Sequence, residues 1–375
     1  MPRSLSLLAF LLLAAPAFAQ PLKTLAQLPS FLTESSGIEV SGPNKIWTFN
    51  DGGGANALYL VDTTGALLKT LTINGAWNRD WEDIAQDNQG NVYIANVGNN
   101  TNDNTDLTIF KIPNPDLITG NSVAAEVITF AYEDQWSFPP PDDSLHFDCE
   151  AIWWHEGHLY LCTKNRTEPF DGIAYVYRIP DAPGQYVAEK TGAFDTGGAT
   201  MLNYWITAGD VSPDGSRLCL LSSDKMWIFS GFSGDDFFGG QQVQINFPNF
   251  SQKEAVCFVT NDKLYITDEE TFPGFGRNLY AIDLSDTLTH TAELPLRPQG
   301  FSLFPNPGQD WLIVEGQLSG YQLAIFDAQG ERLRLIHALT SPAKIWIGDI
   351  PDGLLFLEFR DKVSGERWVE KVVKQ

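Results

Sequence analysis

The sequence predicts an all-β protein, a β-propeller followed by a small β-sandwich. Two observations carry the propeller. A hairpin pattern recurs along the middle of the chain, and each copy is followed by two further strand-like runs separated by Gly, Pro, Asn and Asp turns. A third observation, a change of pattern after about residue 297, marks off the sandwich.

The five copies begin ESSGIEV at Glu34, EDIAQDNQG at Glu82, EAIWWHEG at Glu150, GDVSPDG at Gly209 and EAVCFVTND at Glu254. Each opens beside an acidic residue, turns through polar residues, and continues in a β-branched or aromatic strand. Third strands follow at Ala57, Leu107, Ala174, Lys225 and Leu279, and fourth strands at Leu67, Glu126, Val187, Val243 and Thr291. Four antiparallel strands repeated in series describe propeller blades. The expectation is five blades, with six as the alternative, because roughly 275 residues at about 45 per blade accommodate six. KTLAQLP from Lys23 reads as an outer strand able to close the ring by joining the final blade.

The domain expectation is a signal peptide over 1–19, the propeller over 20–297 and the sandwich over 298–375. The first residues carry Arg3, an apolar run from Leu5 to Ala15, and Ala17-Phe18-Ala19 as a small-x-small cleavage site. That run is shorter than the ~20 residues of a membrane crossing, so the mature chain is expected to lack a transmembrane segment and to be secreted or held at the outer-membrane cell surface. A formal net charge of -23 argues against nucleic-acid and anionic-membrane partners. With only 19% charged residues and 24 Phe, the chain still has ample core. Cys149, Cys162, Cys219 and Cys257 allow three disulfide pairings or four buried thiols.

In a propeller the first strand of each blade lines the axis, so Glu34, Glu82, Glu150, Asp210 and Glu254 are expected to converge. The ends of the second strands, Asp51, Asn96, Asn165, Asp224 and Asp268, are expected nearby with Glu269. Such a ring needs cations or donors. Lys164, Arg166, Arg79 and Lys253 adjoin the motifs, and calcium suits clustered oxygens outside the cell. Asn78–Ala85 is the densest motif: Asp80, Trp81, Glu82 and Asp83 stand beside Arg79, a set able to grip a sugar through stacking and hydrogen bonds, or to wedge Trp81 between blades. The loops NVGNNTNDN and TKNRTEPFDG are further functional candidates. His155 and His158 bracket a turn and are expected at the surface. No standard catalytic signature is present.

The segments ESSGI, WTFNDGG, DWEDIA, DCEA and TKNRTEP resemble a family of secreted bacterial propeller proteins, and more loosely the SdiA-regulated and esterase-like phytase propellers. Pro305-Asn306-Pro307, Asp327, Gly330, Gly353 and the tail from Lys371 to Lys374 resemble the type A sorting domain of the type IX secretion system, although LLFLEF after Gly353 departs from its pattern. That resemblance implies an immunoglobulin-like sandwich recognised by the type IX machinery. The functional expectation is a surface or secreted propeller binding a polar small molecule or glycan at an acidic axial face. The alternatives are an esterase or phosphoesterase, with calcium as a possible requirement, and an adhesion module.

Overall fold

The computed structural model describes residues 18–19, 22–198, 200–285, 301–316, 318–327, 332–362 and 367–375. Residues 1–17, which carry most of the expected signal peptide, and Gly330 lie outside these. The chain divides into two compact units, Met1–Ser285 and Asp286–Gln375.

Strands dominate the first unit. Blade 1 comprises Ser35–Val40, Lys45–Asn50, Ala57–Asp62 and Leu67–Asn74; blade 2 comprises Trp81–Gln86, Val92–Asn96, Thr108–Ile112 and Glu126–Tyr132. Blade 3 is built from Asp148–His155, His158–Lys164, Ile173–Pro180 and Gly184–Asp195, and blade 4 from Ala208–Val211, Arg217–Leu221, Lys225–Ser230 and Gln241–Asn246. The remaining blade takes Lys253–Thr260, Lys263–Asp268 and Asn278–Asp283 from late in the unit and its outer strand, Lys23–Gln27, from the beginning. Lys23 stands opposite Ala281 and Gln27 opposite Asn278, so KTLAQ does join the final blade. Thr291, the start of the other fourth-strand expectation, is outside the described residues.

The first strands neighbour one another in a closed cycle, each packing against the first strands of the blades before and after it. This cyclic order defines a β-propeller. Its inner strands are buried on both faces, which is why SSGIEV and WEDIAQ read as nearly continuous buried runs, whereas the outer LLKTLTIN alternates and buries only Leu71 and Ile73. The aromatic content fills the spaces between blades. Trp47, Phe49 and Trp81 pack between blades 1 and 2, and Trp153, Trp227 and Phe229 between blades 3 and 4. All four cysteines are free and buried. A bulge in the hairpin sets Cys149 opposite Thr163 and Cys162 opposite Ala151, so the two thiols do not face each other across the strands.

The second unit contains two sheets, one of Ser302–Phe304, Trp311–Glu315 and Ala343–Trp346, the other of Arg332–Ile336, Tyr321–Phe326, Gly353–Asp361 and Arg367–Lys374. Leu312, Val314 and Ile345 from the first meet Leu323, Ile325, Leu357 and Phe359 from the second in one core, the arrangement of a β-sandwich.

Candidate functional site

A repeated local irregularity builds the axial mouth. In four blades the inner strand carries one extra residue at its entrance: Ser35 and Gly37 face Asn50 and Phe49, Trp81 and Asp83 face Asn96 and Ala95, Cys149 and Ala151 face Thr163 and Cys162, and Lys253 and Ala255 face Asp268 and Thr267. The unpaired residues are Ser36, Glu82, Glu150 and Glu254. A bulge re-aims its extra side chain, and all four line one cavity of about 110 Å³ with Asp51, Lys164, Arg166, Asn100, Gln252 and Glu269.

Glu82, Glu150 and Glu254 therefore converge, while two of the expected ring members do not. Ser36 takes the place assigned to Glu34, whose side chain is exposed and whose backbone N–H donates to Asn50 Oδ1 at 3.1 Å. Asp210 lies three residues into its strand from Thr207, and that strand pairs without a bulge, so its carboxylate belongs to the opposite mouth. The second-strand ends are also displaced by one position. Lys164 and Glu269 reach the cavity, whereas their neighbours Asn165 and Asp268 point away. Asn165 caps its own loop through Thr167, and Asp268 accepts from Asn278 N–H at 2.7 Å and Tyr280 O–H at 2.7 Å. Asp224 pairs with Lys225.

Two cations face the carboxylates. Lys164 Nζ lies 3.1 Å from Glu150 Oε1 and 4.0 Å from Glu254 Oε2. Arg166 pairs with Asp148 and reaches Glu150 Oε1 at 3.3 Å and Asn100. Both cations lie over the Trp205 ring, at 4.5 and 5.5 Å from its centroid. Arg79 pairs with Asp106 and also draws on Asp80, whereas Lys253 is fully buried against Ser223 O, Asn249 O and Ser251 Oγ and does not compensate the mouth.

Burial first, and the excess of acid second, raise the carboxyls of the site. Burial pushes Asp51 up to about 7, with Asp80, Glu34 and Glu254 adding repulsion, and pushes Glu269 up to about 8 beside Glu254 and Asp51. Burial and the neighbouring Glu150, Asp51 and Asp148 raise Glu82. Burial also raises Glu150, against the pull of Lys164. For Lys164 burial works against the charge, but Glu150 and Glu254 outweigh it and raise its pKa. Asp51, Asp80 and Glu82 each offer an oxygen within 4.8 Å of the others, a three-carboxylate arrangement fit for one oxygen-loving cation.

Asp83 sits deeper in the channel and is 1% exposed. Its Oδ2 accepts from Ile152 N–H at 2.9 Å and Gly209 N–H at 3.3 Å, and its Oδ1 from Ile84 N–H at 2.9 Å, so one carboxylate ties blades 2, 3 and 4. Trp81 is fully buried with its N–H on Trp77 O at 2.9 Å, and it has no face open to a sugar. The aromatic beside the site is Trp205, which the sequence reading missed because it comes from the connection between blades 3 and 4, outside the repeat. Asn100 and Arg166 do come from the two polar loops singled out in the sequence.

In the second unit the PNP loop and the tail lie together. Asn306 Nδ2 donates to Lys371 O at 2.8 Å and Val373 N–H donates to Asn306 Oδ1 at 2.9 Å, while Lys374 Nζ reaches Asp352 Oδ1 at 2.7 Å. Gly353 stands opposite Lys374 in the sheet, Pro305 and Pro307 flank Asn306, and Asp327 follows the strand Tyr321–Phe326.

No family model matches the chain, and no curated protein matches it. Among solved structures, it is similar to PorZ, an essential bacterial surface component of the type-IX secretion system of Porphyromonas gingivalis, at 14% identity and TM-score 0.29, covering 90% of this chain and 51% of that one. It is similar to the PQQ-bound aldose sugar dehydrogenase of Streptomyces coelicolor at 11% identity and TM-score 0.43, covering 72% and 99%. It is also similar to a protein from Lactobacillus plantarum at 14% identity and TM-score 0.31, covering 90% and 84%. The chain thus spans about half the length of PorZ. None of the three reaches a TM-score of 0.5, and the propeller class rests on the strand order itself.

Proposed function

We propose that the protein is an exported five-bladed propeller whose axial mouth holds a divalent cation of the calcium class between Asp51, Asp80 and Glu82. With that cation, Lys164 and Arg166, it binds a polar extracellular ligand such as a carbohydrate. The single observation that carries this reading is the imbalance at the mouth, where Asp51, Asp80, Glu82, Glu150, Glu254 and Glu269 gather around two cations already engaged with Glu150 and Asp148. The cavity of about 110 Å³ is well below the roughly 300–1,000 Å³ of an organic-ligand pocket. It suits an ion with a few waters, and leaves the rim loops around Asn100 and Trp205 for the ligand itself. Calorimetric titration with Ca²⁺ and then with a glycan panel tests it. Calcium binding that Asp51→Asn weakens at least tenfold, followed by glycan binding only in calcium, supports the reading; glycan binding indifferent to both refutes it.

The raised carboxyls beside Lys164 and Arg166 also favour a second reading, an esterase or phosphoesterase with one of them as proton donor. Metal-dependent turnover of an ester panel, lost in Glu82→Gln, would establish that reading in place of simple binding. For the second unit we propose a type IX sorting domain acting at the outer membrane after signal-peptide cleavage. Support comes from the way Asn306 clasps the tail at Lys371 and Val373, joining the two ends of the sequence pattern. Removal of residues 371–375 is expected to trap the protein in the periplasm.

A further inference from the structure

The opposite end of the channel holds a second cavity, of about 460 Å³. It is separate from the acidic mouth because the same inner strands contribute their other ends to it: Gln86 rather than Glu82, and Glu39 rather than Ser36. Its chemistry differs as well. Glu39 is 7% exposed and accepts only backbone N–H groups, including Val40 N–H at 3.3 Å. Asp210 accepts from Val211 N–H at 2.7 Å and Phe258 N–H at 2.6 Å. The two carboxyls repel each other, and among the described residues no lysine or arginine lines the cavity. Burial raises both, Asp210 to about 7.

His155 supplies an independent observation. The sequence placed it at the surface, yet it is 9% exposed, held edgewise by Phe232 and Phe237 on the cavity wall. Among the described residues nothing hydrogen-bonds its ring nitrogens, so a buried polar side chain meets the cavity without a protein partner. The remaining wall is partly apolar, from Trp154, Val211 and Phe258.

We propose that this cavity is a binding site for an organic ammonium ion, an aliphatic or aralkyl amine whose cationic head lies between Glu39 and Asp210, whose body runs along Trp154 and Phe258, and whose polar end reaches His155. A bare metal ion fits less well. Among the described residues, only Asp51, Asp80 and Glu82 bring three ligating atoms within 4.8 Å of one another, and the volume is several times what an ion and its waters fill. An ammonium with an apolar body answers both the uncompensated acids and the apolar wall. The site does not depend on the reading of the axial mouth.

The test is calorimetry on the full chain with 1,5-diaminopentane and tyramine, with 1,5-pentanediol as the uncharged probe and Ca²⁺ as the metal probe. Amine binding is expected, with Glu39→Gln weakening it at least tenfold and Glu82→Gln changing it less than twofold, while the diol fails to bind. Should Glu39→Gln fail to fold, Asp210→Asn is measured instead, and the His155 ring signals in the wild-type protein are followed by NMR as amine is added. The proposal is overturned if the diol matches the diamine, if neither carboxyl variant weakens amine binding, if the His155 signals stay fixed, or if Ca²⁺ displaces the amine and loses its own binding in Glu39→Gln.

Discussion

Replacing Asp83 with alanine should loosen the propeller from its centre. The carboxylate receives the N–H groups of Ile152 and Gly209 from two other blades as well as that of Ile84. Alanine leaves the two cross-blade donors buried without acceptors. At about 1–3 kcal/mol for each donor, the expected cost is about 2–6 kcal/mol. Asparagine should cost less, about 1–3 kcal/mol, because one oxygen still accepts while its NH₂ group opposes one of the remaining donors. Hydrogen exchange reads this locally: the Ile152 and Gly209 amides should exchange at least tenfold faster in Asp83→Ala, and the first denaturant midpoint should fall in the order wild type, Asp83→Asn, Asp83→Ala. Unchanged exchange at both amides, or an asparagine variant worse than alanine, would refute the assignment of this carboxylate as a pin between blades.

Calcium affinity at the axial mouth should rise between pH 6 and pH 8. The Asp51 carboxyl, raised to about 7, holds a proton that the metal must displace below that pH; isothermal titration at three pH values measures it, and a flat profile counts against the site. Without calcium, stability should fall as pH rises from about 4 towards 8, because native Asp51 and Glu269 keep protons that the unfolded chain has lost; thermal melts across that range show it. Lys164→Met leaves the buried Glu150 with Arg166 alone and should destabilise by about 1.5–3 kcal/mol at pH 8, and by less as the pH falls and Glu150 takes up a proton. Asn306→Ala removes two bonds to the terminal strand and should cost about 1–2 kcal/mol in the second unit, read from exchange of the Val373 amide.

The strands were legible because their signals are local. Turns such as Asp-Asn-Gln-Gly and Pro-Asp-Gly sit between β-branched runs, and the recurrence of the hairpin revealed the blades. The exact facing of the site residues was not legible. One extra residue in a bulge re-aims that residue, which is why Ser36 rather than Glu34 joins Glu82, Glu150 and Glu254 at the mouth; the second strands carry no extra residue there, so nothing local announces that Lys164 and Glu269 face the cavity while Asn165 and Asp268 do not. Blade 4 lacks the bulge, so Asp210 faces the far end. Burial by distant segments was equally hidden: Phe232 and Phe237 enclose His155 from another blade, and nothing near HEGH in the sequence announces them.

Sealing the ring with Lys23–Gln27 gives the fold a direction in time. Lys23–Gln27, synthesised early, finds this hydrogen-bonding edge only when Asn278–Asp283, nearly the last of the unit, has emerged. Until then one blade lacks its outer edge and the circle stays open, a non-local pairing of the kind that folds slowly.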